Sequence, residues 1–91
     1  MSTLHQIEEL LELETQQVTA HEIVLFNDDV NTFEHVINML IKVCDHTPEQ
    51  AEQCSIIVHF NGQCTVKTGE LSQLKPQCLQ LLDAGLSAKI I

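Results

Sequence analysis

Residues 47–50 carry the strongest structural signal in the chain, because three neighbouring side chains each favour the start of a helix. Thr47 can act as the N-cap, and Pro48 suits the first helical position. Gln50 can close a capping box with Thr47. A helix therefore begins at this point, in the middle of the chain.

The extent of this helix stays open from the pattern alone. Residues 55–60 are rich in β-branched and apolar side chains and lead into Asn61-Gly62, which is typical of a strand entering a hairpin turn. Apolar residues nevertheless continue at helical spacing, and Gly62 suits a left-handed helix stop. The residues at that spacing are Ala51, Cys54, Ile57 and Val58.

A strand and a helix precede this region. Residues 22–26 form a short β-branched apolar run, which predicts a strand, and the turn-forming Asn-Asp-Asp sequence at 27–29 ends it. Asn31 can then cap a helix, with Glu34 completing a capping box. The apolar face of that helix comprises Phe33, Val36, Ile37, Leu40 and Ile41.

Two strands and a third helix follow. Residues 63–67 predict one strand and residues 86–91 another, and the helix between them is expected to stop at Gly85. A proline inside a helix costs about 3 kcal/mol, so we expect Ser72 to be the cap and Pro76 to lie in the first turn. The order βααβαβ predicts an α+β fold: a two-layer α/β sandwich of three helices on a three-stranded antiparallel sheet.

Charge and length exclude several classes of function. The chain has 91 residues, which suggests one domain, and 13 acidic residues against four basic ones give a net charge of −9. Phosphate binding needs clustered basic residues, so nucleic acid and anionic membrane surfaces are unsuitable partners. No apolar run reaches the roughly 20 residues that cross a bilayer, and no secretory signal is seen. We therefore expect a cytoplasmic, monomeric protein.

The cysteines are scattered and contain no CxxC pair. In a reducing cytosol we expect them to be free thiols that are mostly buried, since free cysteine behaves as a small hydrophobe. They are Cys44, Cys54, Cys64 and Cys78.

The N-terminal region differs from the rest in being acidic and without a basic residue. We expect residues 1–21 to be a flexible extension and residues 22–91 to be the folded domain, because a short isolated helix is marginal in water. The alternative is an amphipathic helix, since apolar residues recur there at helical spacing. Those residues are Leu4, Ile7, Leu10 and Leu11.

Three segments of the sequence resemble the ClpS family of N-degron adaptors. They are the apolar strand with its Asn-Asp-Asp turn at 24–29, the helix start at 33–36, and the segment at 57–62 with its Val-His pair and glycine. The spacing between the turn and the Val-His pair also agrees, and the resemblance covers about residues 23–91. It implies that His59 ends the second helix, so we predict a helix from Pro48 to about Phe60.

The resemblance also implies a fold and a function. Family members have a small sandwich similar to the C-terminal domain of the ribosomal stalk protein. They bind the free N-terminus of substrates that begin with leucine, phenylalanine, tyrosine or tryptophan. They then deliver the substrates to a ClpA- or ClpC-type AAA+ unfoldase for degradation. The chain is therefore expected to be an adaptor and not an enzyme, with no cofactor and no metal.

The residues that the resemblance implies for binding the N-terminal amine are Asn27, Asp28 and His59. An α-ammonium group carries three donors and needs acceptors in three directions. Asn27 offers a carbonyl oxygen, Asp28 a carboxylate, and neutral His59 a ring nitrogen. Charge-assisted hydrogen bonds of this kind are roughly twice as strong as neutral ones. A turn or a histidine alone is an ordinary structural feature, and only their combination points to a site.

An apolar pocket for the first side chain is implied beside these acceptors. By resemblance its walls are Phe33, Ser55, Ile56, Val58 and Leu86. Phe33 stands where most relatives carry methionine, which acts as a gate against β-branched residues, and Thr32 stands where they usually carry proline. The resemblance therefore does not determine which first residues this chain prefers.

A second surface is implied for docking on the N-terminal domain of the unfoldase. The matching positions are Thr68, Glu70 and Lys75. The stretch at 64–67 is shorter than in typical relatives, so we expect this strand or its loop to be altered.

Two alternatives belong to other functional classes. One is a metal or enzymatic site, although structural zinc sites use short paired spacings that are missing here. Its candidate ligands are Cys44, His46, Cys54, His59 and Cys64. The other is a ribosome-associated interaction domain with the same sandwich fold, for which the expected basic helix is absent.

Overall fold

The centre of the fold is strand β1 (Ala20–Phe26), which pairs with a neighbour on each side. The computed structural model describes residues 20–91. Its other strands are β2 (Gln63–Glu70) and β3 (Ser87–Ile90), both antiparallel to β1. The helices are α1 (Phe33–Cys44), α2 (Pro48–Asn61) and α3 (Leu71–Asp83). The predicted α+β sandwich with the order βααβαβ is therefore confirmed.

The hydrophobic core lies between the sheet and the helices. Ile23 and Leu25, two positions apart on β1, point to the same side because strand side chains alternate. Each helix contributes residues at three- and four-residue spacing, which places them on one face. The buried helix residues are Leu40, Val43 and Cys44 on α1, Ala51, Ser55 and Val58 on α2, and Leu74, Cys78 and Leu81 on α3.

Two strands are longer than predicted. β1 begins at Ala20 instead of residue 22, and β2 continues to Glu70 instead of residue 67. The two extensions pair with each other, since Ala20 lies opposite Glu70. The flexible extension and its alternative helix fall mainly on residues 1–19, which lie outside the described residues. The proposed domain boundary stays a prediction.

Helix α2 resolves the ambiguity at 55–60 in favour of a helix, which runs to Asn61. Its capping box forms as predicted, with the Thr47 hydroxyl accepting from Gln50 N at 3.2 Å and Gln50 Oε1 accepting from Thr47 N at 3.0 Å. Gly62 ends the helix at φ 92°, in the left-handed region that favours glycine. The helical spacing therefore outweighs the β-branched composition.

The predicted start of α1 is wrong by one residue. Thr32, not Asn31, is the N-cap, and its hydroxyl accepts from His35 N at 3.1 Å. With Thr32 as the N-cap, the third helical position is His35 and not Glu34, so Glu34 is not in the position that completes a capping box. The side chain of Asn31 is thereby free for contacts elsewhere.

The predicted start of α3 is also wrong. The helix begins at Leu71 directly after β2, with Glu70 at the N-cap position and no side-chain cap. Ser72 is thus a helical residue, and Pro76 lies inside the helix on its exposed side. Leu74, Cys78 and Leu81 are buried on the opposite side, and that burial outweighs the missing proline N–H.

Replacing the cap of α2 is expected to test how far this local signal stabilises the fold. Thr47→Ala removes the hydroxyl that accepts from Gln50 N, so the free energy of unfolding should fall by about 1 kcal/mol. Thr47→Ser keeps the hydroxyl and is the matched control. Urea denaturation followed by circular dichroism measures both. Equal stabilities for the two variants would contradict a capping role.

Candidate binding site

A cavity of about 290 Å³ opens between the loop after β1, the start of α1 and the second half of α2. This volume is at the lower end of the roughly 300–1,000 Å³ usual for ligand pockets, so it suits a single side chain. Polar residues contribute Asn27, Asp28, Asp29, Asn31, Thr32, Ser55 and His59 to its lining, and apolar residues contribute Leu25, Phe26, Phe33, Val36, Val58 and Leu86.

One backbone hydrogen bond brings the two halves of the sequence motif together. Asn27 N donates to Gly62 O at 2.9 Å, which fixes the loop after β1 against the turn between α2 and β2. Gly62 N in turn donates to Val58 O at 2.9 Å. His59 lies in the last turn of α2, three residues before Gly62, so it reaches the cavity beside Asn27. The predicted juxtaposition of Asn27 and His59 is thus present.

The Asp28 carboxylate is largely occupied by the protein itself. Its Oδ1 accepts from Val30 N at 3.0 Å and from Asn31 N at 2.8 Å. Its Oδ2 accepts from Asn31 Nδ2 at 2.8 Å and from the Ser87 hydroxyl at 3.5 Å. The hydrogen bond from the Asn31 backbone is the main cause that lowers the pKa of Asp28, with burial acting in the opposite direction. Asp28 therefore organises the loop.

The turn between α3 and β3 is held against α1 by two side chains. Asn31 Nδ2 donates to Gly85 O at 2.8 Å. His35 Nε2 lies 2.8 Å from Ala84 O, and it must donate because a carbonyl oxygen only accepts. These bonds place Leu86, which is buried, in the cavity wall. Asn31 was predicted to cap the helix, and no contact was predicted for the His35 side chain.

Asp29 is exposed at the same cavity, and its carboxylate accepts no hydrogen bond from any of residues 20–91. Within the described residues both oxygens are therefore open to a ligand. The family resemblance implied Asp28 as the carboxylate that binds the amine, and Asp29 was not predicted, because the hydrogen-bond partners of the two carboxylates cannot be read from the sequence.

The walls are built from residues on the inner faces of two helices. Ser55, Val58 and His59 share a face of α2 because they lie three and four residues apart. Phe33 and Val36 share a face of α1 for the same reason. Val36 and Leu25 were missed as wall residues, although their helical and strand periodicities place them on the core side.

Aromatic rings mark the rim of the cavity. The Phe33 ring, whose residue is 46% exposed, lies 5.0 Å from the His59 ring between centroids and is tilted by 57°. The His59 ring also lies 4.8 Å from the Phe60 ring between centroids, in a T-shaped arrangement with an interplanar angle of 85°. Such contacts restrict the imidazole to one region of the rim.

Ile56 does not line the cavity, although it was predicted to do so. It is 38% exposed, and one residue after Ser55 it is turned about 100° away around the helix. The three predicted docking residues, Thr68, Glu70 and Lys75, are exposed where β2 passes into α3, away from the cavity.

The cysteines and histidines do not assemble into a metal-binding group within residues 20–91. All four thiols are free, and burial raises the pKa of Cys44 to about 11 and that of Cys54 to about 12. His46 Nε2 donates to Val66 O. Thiols with such pKa values are poor nucleophiles, because the thiolate is the reactive form.

Within residues 20–91 no helix is long and apolar enough to span a membrane.

Comparison with known proteins places the chain in a family. Residues 16–89 match the family profile described as the ATP-dependent Clp protease adaptor protein ClpS. The Clp protease adapter protein ClpS of Thermosynechococcus vestitus is 38% identical over 80 residues, which cover 81% of this chain and 85% of that protein. The ClpS of Nitratidesulfovibrio vulgaris is 36% identical over 68 residues, 72% of this chain and 68% of that protein. The chain belongs to the ClpS family of Clp protease adaptors, as the sequence motifs predicted.

A solved structure has the same fold. Agrobacterium tumefaciens ClpS2 bound to L-phenylalaninamide superposes with a TM-score of 0.77, over 80% of this chain and 95% of that chain, at 19% sequence identity. The likeness at this identity concerns the fold. It agrees with the three helices and the open antiparallel sheet described above.

Asp28→Asn is expected to destabilise the domain in a pH-dependent way. The amide oxygen can replace only one of the two carboxylate oxygens, and the NH2 group in place of Oδ2 cannot accept from Asn31 Nδ2, so the free energy of unfolding at neutral pH should fall by about 1–2 kcal/mol. Because the folded-state pKa lies below the ordinary value of 3.8, the carboxylate stabilises the fold above that pH. This contribution is lost as the pH falls through the lowered pKa.

Urea denaturation of both proteins at a series of pH values checks this expectation. The stability difference between them should be full at neutral pH and should shrink below the ordinary pKa of 3.8. Asp29→Asn is the matched control and should show a much smaller difference. A constant difference down to the lowest pH would contradict the assigned hydrogen bonds.

Proposed function

We propose that this chain binds the free N-terminal residue of protein substrates in the cavity between β1, α1 and α2. It would then deliver them to a ClpA- or ClpC-type AAA+ unfoldase. The substrates begin with leucine or an aromatic residue. In this role the chain is a cytoplasmic adaptor and has no catalytic function of its own.

One observation carries the proposal: the cavity has acceptors at its mouth and apolar side chains inside. A free N-terminus combines a cationic amine that has three donors with a side chain attached to the same carbon. The mouth offers Asn27, Asp29 and His59, and the interior offers Val36, Val58 and Leu86 among others. The two parts of the site thus match the two parts of the ligand.

The two carboxylates are proposed to have different tasks. The oxygens of Asp29 accept no hydrogen bond from the described residues, so Asp29 would accept directly from the ammonium group. Asp28 is bonded to Val30, Asn31 and Ser87, so it would hold the loop and add negative charge at a longer distance. In this proposal Asp29 takes the place that the sequence had suggested for Asp28, beside Asn27 and His59.

The ligand of the structural relative supports the proposal that the cavity binds the first residue of a polypeptide. L-Phenylalaninamide, bound to the Agrobacterium protein, has a free α-amino group and an aromatic side chain and lacks a carboxylate. It therefore has the chemical features of the first residue of a polypeptide. A cavity of about 290 Å³ in the same fold suits a ligand of this size.

Phe33 is proposed to be the gate at the rim. It lies at the cavity while being 46% exposed, and its ring contacts His59. A ligand side chain that branches at Cβ is broad next to its own amine, so it would meet the Phe33 ring while the amine is held. Leucine and the aromatic residues branch one carbon further, at Cγ.

Docking on the N-terminal domain of the unfoldase is proposed through Thr68, Glu70 and Lys75. All three are exposed at the junction of β2 and α3, so an unfoldase could contact them while the cavity stays open. Surface charges contribute little to the stability of the fold, which leaves them free for a partner.

Binding is expected to require a free amine. A peptide that begins with phenylalanine should bind, and its N-acetylated form should not, because acetylation removes the cation and two donors. Asp29→Asn or His59→Ala should weaken binding by about 1.5–3 kcal/mol, the usual value of a hydrogen bond to a charged group. Isothermal titration calorimetry measures each pair.

Two controls accompany this experiment. Thermal melts verify that the variants fold, and Glu49→Gln, an exposed change at the start of α2 outside the cavity, should leave affinity unaltered. Equal binding of the free and acetylated peptides would disprove the proposed function. Unchanged affinity in a folded Asp29→Asn variant would contradict direct binding of the amine by Asp29 and would favour Asp28 in that role.

Phe33→Ala is expected to widen the range of first residues. Removing the ring should raise the affinity for peptides beginning with valine or isoleucine relative to those beginning with leucine, since a clash is relieved. A competition assay with one labelled peptide gives the ratios directly. If the order of affinities is the same in parent and variant, Phe33 is a wall residue without a gating role.

A further inference from the structure

Ser55 is the one buried polar side chain among residues 20–91, at 3% exposure, and it contributes to the wall of the cavity. The apolar residues that line the same cavity include Leu25, Val36, Val58 and Leu86. Ser55 is the one polar lining residue that is also buried, so its hydroxyl differs from the exposed acceptors at the mouth.

The hydrogen-bond inventory of Ser55 is incomplete. A serine hydroxyl has one donor and two acceptor positions. The donor is used within α2, where Ser55 Oγ donates to Ala51 O at 2.8 Å. No donor within residues 20–91 reaches the oxygen in return, so within these residues its lone pairs are available to a ligand. A donor on the ligand that enters this cavity would have an acceptor there, whereas a purely apolar side chain would not use it.

We propose that Ser55 is a specificity-determining residue that favours a first side chain with its own donor, namely a tyrosine hydroxyl or a tryptophan indole N–H. The inference rests on the proposed function and narrows its substrate class. Phenylalanine and leucine fill the same space but leave the Ser55 oxygen unpaired. The hydroxyl orientation supports this, because its proton is held by Ala51 O and its lone pairs remain for the ligand.

The effect is a selectivity and not a general gain in affinity. A neutral hydrogen bond contributes about 0.5–1.5 kcal/mol net, which corresponds to a roughly two- to tenfold change in the dissociation constant. Transfer of the tyrosine hydroxyl out of water offsets part of its gain. The ratio of tyrosine to phenylalanine affinities, compared between two proteins, cancels that common term.

The test uses two peptides that differ only in a first residue of tyrosine or phenylalanine, bound to the parent and to Ser55→Ala. We expect the substitution to reduce the tyrosine-to-phenylalanine affinity ratio roughly two- to tenfold. Glu49→Gln, an exposed change at the start of α2 outside the cavity, is the control and should retain the ratio. An unchanged ratio in Ser55→Ala would overturn the proposal.

A second measurement does not depend on a variant. The parent chain is titrated with a peptide that begins with 4-fluorophenylalanine, which resembles tyrosine in size but has no donor. Affinity at the phenylalanine level supports the role of Ser55, and affinity at the tyrosine level overturns it. If the parent binds the peptide that begins with phenylalanine and shows no preference for the one that begins with tyrosine, the inference about Ser55 is wrong and the proposed function stands. If no peptide with a free amine binds, both are wrong.

Discussion

The hydrogen bonds of the Asp28 carboxylate hold together the parts of the chain that form the cavity. Through Asn31 they reach Gly85, and through Ser87 they reach the start of β3. Leu86 lies between these two anchors and is buried in the cavity wall. Asn31 and Gly85 are 54 residues apart in sequence and Asp28 and Ser87 are 59 apart, and these few hydrogen bonds set the relative position of the loop after β1 and the turn before β3.

The second anchor of the site is a backbone contact, which explains why a glycine lies close to the histidine. Gly62 adopts a left-handed conformation that ends α2 and turns its carbonyl toward Asn27 N. A residue with a Cβ would be strained at φ 92°. Gly62 thus ends α2, directly precedes β2 and positions Asn27 at the cavity.

Much of the fold could be predicted from the sequence, because the signals are local. The capping box at Thr47 and the strand at β1 depend on near neighbours, and both are present. The wrong predictions concern positions where residues distant in the sequence determine the local structure. Asn31 is a good cap in isolation, but its side chain serves Asp28 and Gly85. Pro76 is tolerated within α3 because the opposite face of that helix is buried, which no local rule includes.

The direction of β1 has a consequence for how the domain can be attached to something else. Its seven residues span about 20 Å, and the cavity lies at the Phe26 end. Ile91 is hydrogen-bonded to Glu22, so Ala20 and Ile91 both lie at the other end of the sheet. A fluorophore, a surface linker or a fused protein joined at either point would sit remote from the pocket. Ala20 and Ile91 are therefore suitable positions for attaching a label that should leave the cavity accessible.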